Sequence, residues 1–214
     1  TAKGAGGSSF AGWAPDAERV SVVGDFNQWD GRVHAMRAIL PIGVWEIFIP
    51  GLGEQERYKY EIRSRTGAIL HKCDPFGAYF EVPPQTASIT HNRRRHNCSH
   101  DEWMRTRDTS GTALDRPMSI YEVHLGSWRR NPDQGNRPLT YRELAYELAE
   151  YVIRLGFTHV EFLPVMEHPF FGSWGYQTTG YFGPTGNYRT PQDFMYLVDE
   201  LHRHGIGVTL DLLS

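Results

Sequence analysis

The sequence predicts two structural classes in one chain: a small β-sandwich, then an α/β unit built on a parallel sheet. Three observations predict it. Between residue 10 and about residue 90, short β-branched or alternating runs recur between turn signals, and no segment keeps a helical period. From Pro117 onward, apolar strands alternate with amphipathic helices. Between them, residues 91–116 are polar, basic and poor in apolar periodicity, which reads as a linker. The domain boundaries expected from this pattern are 1–95, 96–116 and 117–214.

The elements follow in order. Runs at 20–23, 44–49 and 58–62 read as strands, punctuated by Gly24-Asp25, Asp30-Gly31 and Pro50-Gly51. Strands of this length and spacing suit a sandwich of roughly 80–100 residues. The linker carries one expected helical turn near Trp103. Residues 119–125 read as a strand. Thr140 then opens a helix, and Glu143 three residues on completes a capping box. Leu144, Leu148, Tyr151, Val152 and Leu155 follow at helical spacing, and Gly156 ends the helix. Residues 158–163 make a second strand closed by Pro164. Thr190 opens a second helix, with Pro191 suited to its first position and Asp193 in its first turn. Phe194, Leu197, Val198 and Leu201 form its apolar face up to Gly205, and residues 206–213 are a third strand.

Near-continuous apolar strands joined through helices imply parallel pairing. Three strands cannot close a barrel, and an open sheet of three leaves bare edges. The α/β unit therefore reads as unfinished. Together with Thr1 in place of Met, this makes the chain the expected front part of a longer protein.

Composition narrows the function. Lys+Arg 22 against Asp+Glu 25 gives a formal charge of -3, so no basic excess points to nucleic acid. No run approaches the ~18 apolar residues of a membrane span, and no leader of signal-peptide form opens the chain. Cys73 and Cys98 are too few for a disulfide scaffold, which favours a reducing cytoplasm. Aromatics at 13% suit a ligand with flat apolar faces and hydroxyl edges, a description that fits sugars.

Ligands of parallel α/β folds bind on the loops that follow the strands. The loop after the second strand, 164–189, is about 25 residues where roughly 2–6 are usual. It shows no helix or strand character. Phe170, Phe171, Trp174, Tyr176, Tyr181, Phe182 and Tyr188 are spaced along it among five glycines, a combination that fits a pocket stacking on sugar rings. Glu161 and Glu167 have no catalytic spacing and read as structural. His91, His96, Cys98 and His100 lack paired metal-ligand spacing, and Arg93-Arg94-Arg95 among them repels a cation, so no metal site is expected. Gly4-Ala5-Gly6-Gly7 follows no strand, so a phosphate cradle is unsupported.

Several strings are similar to one family. Tyr121-Glu122-Val123-His124-Leu125-Gly126-Ser127-Trp128 resembles the first barrel strand of bacterial 1,4-α-glucan branching enzymes of the α-amylase superfamily. So do Gly156-Phe157-Thr158-His159, Glu167-His168-Pro169-Phe170 and Gly172-Ser173-Trp174-Gly175-Tyr176-Gln177. Phe10-Ala11-Gly12-Trp13-Ala14-Pro15 and the stretch from Gly24-Asp25-Phe26-Asn27 to Trp29-Asp30-Gly31 look like the family's starch-binding sandwich. The resemblance implies an immunoglobulin-like sandwich of that type, followed by the first βαβαβ part of a (β/α)8 TIM barrel. It implies a retaining transfer of α-1,4-glucan chains (glycogen, amylose, malto-oligosaccharides) to sugar 6-hydroxyls, without a cofactor. The nucleophilic Asp and the acid/base Glu are expected beyond Ser214, so this segment alone is expected to be inactive.

Carried over position by position, Tyr176 matches the tyrosine under the sugar being cleaved, and Asp211 matches the aspartate that shapes the pocket floor. Leu212-Leu213 after it is acceptable to the family, and Thr178-Thr179 stands where Pro-Thr is common. Trp174 and Gln177 join the expected substrate-binding set, as does His124, which at the top of the first strand reads equally as a pocket residue or a core histidine. In the sandwich, Trp29 follows Asp25-Phe26-Asn27 in a turn, where an exposed indole can stack on a glucose ring. Lys59 matches the lysine that some glucan-binding relatives use on sugar hydroxyls, but the second tryptophan of those relatives is missing from Gly67-Ala68-Ile69-Leu70. Two other readings stay open: the front of a debranching or trehalose-releasing hydrolase, and a non-catalytic glucan-binding module.

Overall fold

The computed structural model describes residues 6–92, 94, 96–99, 101–107 and 116–212. The chain forms two compact units, residues 1–92 with 179–183, and residues 93–178 with 184–214.

The first unit is a β-sandwich. Its strands are β1 (Gly7–Trp13), β2 (Ala17–Gly24), β3 (Arg37–Ile39), β4 (Val44–Pro50), β5 (Arg57–Ser64), β6 (Ile69–Lys72) and β7 (Ser88–Ile89). One antiparallel sheet has the order β1-β4-β3, the other β2-β5-β6 with β7 also on β5. Phe10, Val20, Val22, Met36, Ile49, Leu52, Tyr58 and Tyr60 fill the space between them. Burying two tyrosines requires partners for their hydroxyls, and both donate to one oxygen of buried Asp74, at 2.7 and 3.2 Å.

The runs 20–23, 44–49 and 58–62 lie in β2, β4 and β5. Strands β1, β3, β6 and β7 escape the pattern reading. β1 is Gly-Ser-Ser-Phe-Ala-Gly-Trp, without a β-branched residue, and becomes a strand because it pairs with β4 along its whole length. Segment 179–183 groups with this unit although it is far away in sequence. Phe182 stacks on Phe76 at 5.1 Å, and Gly180 and Gly183 lie so close to the Phe80 ring that a Cβ would overlap it.

In the second unit, α1 (Asp101–Thr106) is the helical turn expected at Trp103, whose indole stacks on His202. Then come β8 (Ile120–Val123), a one-turn helix α2 (Leu125–Trp128), a small hairpin of β9 (Arg130–Asn131) and β10 (Arg137–Pro138), and α3 (Tyr141–Leu155). The chain continues through β11 (His159–Phe162), β12 (Met166–Glu167), α4 (Pro191–Arg203) and β14 (Gly207–Leu210); β13 (Gly180–Pro184), between β12 and α4, groups with the first unit except for Pro184. The first strand is shorter than its apolar run, because His124 and Leu125 turn into α2. The last strand stops at Leu210, and Leu213 lies outside the described residues. The long loop is not featureless either: β12, β13 and 3₁₀ turns at Phe171–Ser173 and Gly186–Tyr188 interrupt it.

Both helices start as their caps dictate. The Thr140 and Thr190 hydroxyls accept the N–H groups of Glu143 and Asp193, whose carboxylates return to the cap N–H groups. Gly156, at φ 79°, ends α3 in the left-handed conformation that glycine adopts without strain.

Strands β8, β11 and β14 are parallel in the order β14-β11-β8. Both helices contribute to one core with this sheet, through Leu144, Leu148 and Val152 of α3, Leu197 and Leu201 of α4, and Val123, Val160 and Phe162 of the strands. The alternate strand residues Glu122, Glu161 and Thr209 share a register row on the opposite face.

Candidate functional site

Parallel pairing brings three strand ends together. Phe162 at the tip of β11 is in register with Val123 of β8 on one side and Leu210 of β14 on the other. His124 and Asp211 each follow directly, so they flank the central strand about 10 Å apart, two strand spacings of ~4.8 Å. The Asp211 N–H donates to the Phe162 carbonyl at 2.9 Å, which ties the chain after β14 to the centre of the sheet.

The loop after β11 spans this row of tips. The Trp174 indole stacks on the His124 imidazole, with ring centroids 5.4 Å apart and 20° between planes. Two residues on, the Tyr176 hydroxyl donates to Asp211 Oδ2 at 2.5 Å. Between them sits Gly175 at φ +91°, and a Cβ there would lie 2.1 Å from the Pro164 carbonyl oxygen. Only glycine combines that backbone conformation with so close an approach. Trp174 and Tyr176 keep 53% and 39% of their surface exposed, so their rings are held in place and still open to a ligand. Gln177 is exposed beside them.

The electrostatics of the site are anionic. The Asp211 carboxylate raises the pKa of the Tyr176 phenol by accepting its proton in a hydrogen bond, with smaller contributions from burial and from Glu122 and Glu161. His124 is pushed the other way, chiefly by burial and also by nearby His168, which favours its neutral form. Its Nδ1 lies 2.8 Å from Ser127 Oγ, and the Phe171 ring meets it edge-on. Such a site offers ring faces, hydroxyl and carboxylate acceptors, and a neutral imidazole. These are the groups that bind an uncharged polyol by stacking and hydrogen bonding.

Tyr181 and Phe182 group with the first unit, and Tyr188 is buried edge-on against Tyr141. Of the seven rings, Trp174 and Tyr176, with Phe171, are the ones joined to the residues at the strand tips. Ring content is visible in sequence, but the direction each ring takes is decided by packing.

Trp29 and Lys59 belong to the first unit. Trp29 sits in a turn at φ 60° and donates its indole N–H to Asp25 at 2.9 Å, while Arg57 pairs with the same carboxylate at 2.6 Å. The Lys59 ammonium donates to Thr86 Oγ1 at 2.8 Å. Glu167, read from sequence as structural, is 4% exposed and accepts hydrogen bonds from the N–H groups of His168 and Gly186 and from the hydroxyl of Thr185. Nothing in its spacing marks it as the buried centre of the loop. Among the described residues, no group of three or more His, Cys, Asp or Glu could hold a metal ion, and His100 lies outside them. Among them, no helix is long and apolar enough to cross a membrane.

Residues 1–77 match the family Carbohydrate-binding module 48 (Isoamylase N-terminal domain). The chain is 56% identical over 214 residues to the 1,4-alpha-glucan branching enzyme GlgB of Paramagnetospirillum magneticum, covering 99% of this chain and 28% of that one. It is 58% identical to the GlgB of Rubrobacter xylanophilus, covering 96% of this chain and 28% of that one. To the GlgB of Pseudomonas aeruginosa it is 54% identical, over 98% and 28% respectively. The fold is similar to the crystal structure of a "Putative alpha Amylase from Salmonella typhimurium", with TM-score 0.73 at 21% identity, covering 99% of this chain and 33% of that one. The resemblance to branching enzymes read from short motifs thus extends along practically the whole chain, which spans 28% of the length of these relatives.

Proposed function

Taking that resemblance as its premise, we propose that this chain is the glucan-gripping front of a 1,4-α-glucan branching enzyme acting in glycogen biosynthesis. The observation that carries the proposal is the pair of exposed rings, Trp174 and Tyr176, tethered to His124 and Asp211 at the ends of parallel strands. In this reading the Tyr176 ring lies under the glucose unit at the point of cleavage, and Asp211 shapes the floor beneath it. His124, Trp174 and Gln177 line the same cleft. A nucleophilic Asp attacks the anomeric carbon while a Glu donates its proton to the leaving 4-oxygen, leaving a covalent glycosyl-enzyme. The same Glu then takes the proton from an incoming 6-hydroxyl, whose oxygen displaces the Asp and closes the α-1,6 bond. Both carboxylates lie on strands outside these 214 residues, so the chain on its own binds glucan and does not transfer it.

The architecture in this proposal is an immunoglobulin-like sandwich (residues 1–95), a linker (96–116) and the first βαβαβ part of a (β/α)8 barrel (117–214). Its support is the parallel order β14-β11-β8, with α3 and α4 in one core with the strands and Glu122, Glu161 and Thr209 on the other face. The enzyme works in the cytoplasm on α-1,4-glucan and uses no cofactor, nucleic acid or membrane partner.

Two measurements test this. The longer protein, incubated with amylose, lowers the absorbance of the iodine complex as branches form. The 214-residue chain, titrated with maltoheptaose, changes its tryptophan fluorescence and loses that response in Tyr176→Ala. A chain that does not bind, or a longer protein that shortens amylose without branching it, overturns the proposal. The exposed Trp29 supports one rival reading, a non-catalytic module that binds through the sandwich alone; in that case Trp29→Ala abolishes binding and Tyr176→Ala leaves it intact.

A further inference from the structure

The loop that carries Trp174 and Tyr176 leaves β11 through residues 165–168 and returns to α4 through residues 185–190. These two limbs are joined by one buried carboxylate. Glu167 Oε1 accepts the His168 N–H at 2.9 Å and the Thr185 hydroxyl at 3.2 Å, and Oε2 accepts the Gly186 N–H at 2.7 Å. The Thr185 N–H donates to the Val165 carbonyl at 2.7 Å, and the buried Tyr141 hydroxyl of α3 donates to the Thr185 carbonyl at 3.0 Å. Thr185 and Tyr141 are both fully buried, so the junction is anchored to the helical core.

We propose that Glu167 is a positioning residue: by clamping the outgoing and returning limbs of the loop, it holds Trp174 and Tyr176 over the strand tips and thereby sets the grip on α-1,4-glucan. The glucan half of this proposal rests on the function proposed above, and the clamp half does not. The requirement is for a carboxylate, not merely a polar group, because the His168 and Gly186 N–H groups and the Thr185 hydroxyl all donate to it. A glutamine would turn an NH2 toward one of those donors, losing one bond and adding a repulsion. An aspartate is one methylene shorter and cannot reach both limbs at once. A severed clamp leaves the two limbs joined only through main-chain contacts such as Thr185 N–H to the Val165 carbonyl, and the two rings lose their fixed offset from His124 and Asp211.

The test uses the 214-residue chain, wild type against Glu167→Gln, with Thr185→Val and Thr185→Ser as milder variants that delete or keep the hydroxyl donor. Amide hydrogen exchange by NMR is followed at His168 and Gly186 and, as reference, at Leu148 and Val152 of α3. Glu167→Gln should speed exchange at His168 and Gly186 by at least about tenfold with α3 unchanged. Thr185→Val should act in the same direction by about threefold, and Thr185→Ser should match wild type. Maltoheptaose affinity, read from tryptophan fluorescence, should fall in the same order, by about tenfold for Glu167→Gln. Loop amides that stay protected in Glu167→Gln overturn the clamp. Loop amides that open while affinity is unchanged overturn the positioning role. A wild-type chain that fails to bind maltoheptaose overturns the glucan reading, and the exchange data still decide whether Glu167 holds the loop. If Glu167→Gln does not fold, the two Thr185 variants carry the same comparison, and equal exchange and affinity in both overturn the proposal.

Discussion

The contact between Tyr176 and Asp211 gives the sharpest quantitative test of the site. Removing the phenol oxygen (Tyr176→Phe) leaves the ring and deletes one charge-assisted hydrogen bond of 2.5 Å. A bond of this kind in a buried setting contributes about 1.5–3 kcal/mol, and exposed ion pairs about 0–1 kcal/mol. Tyr176 is 39% exposed, so the value expected here is about 1 kcal/mol, between those limits. Asp211→Ala removes the acceptor, and the double variant closes a thermodynamic cycle. The two units need not unfold in one transition, so the assay is native-state hydrogen exchange in the second unit. Each single variant should cost about 1 kcal/mol there and the double variant no more than either, a coupling of about 1 kcal/mol. Additive costs, with coupling below ~0.3 kcal/mol, would refute the claim that Asp211 holds the tyrosine in place. In glucan binding, Tyr176→Phe should cost only a few-fold because stacking survives, whereas Tyr176→Ala should lose about tenfold, ~1.4 kcal/mol of ring contact.

Other substitutions report on the framework. Gly175→Ala forces a Cβ onto the Pro164 carbonyl at a positive φ, and should weaken maltoheptaose binding while the far-UV circular dichroism stays unchanged. Leu148→Ala empties a fully buried position between α3 and the sheet, and should destabilise the second unit by about 2–5 kcal/mol in chemical denaturation. Thr140→Ala removes the α3 cap and should cost about 1 kcal/mol by the same measurement. The Arg137 guanidinium, with smaller help from Thr140, holds the Glu143 carboxyl down at about 2. A depressed carboxylate contributes stability above its unfolded value near 4.5 that is lost as pH falls toward 2, and Glu143→Gln should flatten the acid limb of a stability–pH curve over that window.

Much of the fold was legible because much of it is locally encoded. Thr140 with Glu143, Thr190 with Asp193, and Gly156 mark helix ends through bonds that close within three or four residues, so spacing alone reveals them. β2, β4 and β5 were legible because β-branched side chains line a core. β1 and β6 were not: one is built from small residues recruited by main-chain pairing, and the other is an exposed strand beside β5. The candidate site divides in the same way. Its residue types stood out in a glycine- and ring-rich loop, but that loop also contains Tyr181 and Phe182, which group with the first unit, and Tyr188, which is buried against Tyr141.

Which ring would meet which strand end was settled in three dimensions. Tyr176 and Asp211 are 35 positions apart, and Trp174 is farther still from His124, both well beyond the reach of any local rule. Their meeting depends on parallel pairing of β8, β11 and β14 and on a buried carboxylate that joins two loop limbs. The energies of capping and periodicity fall within one helical turn and can be read along the chain. Sheet register and loop closure couple distant segments, and their outcome exists only once the core has formed.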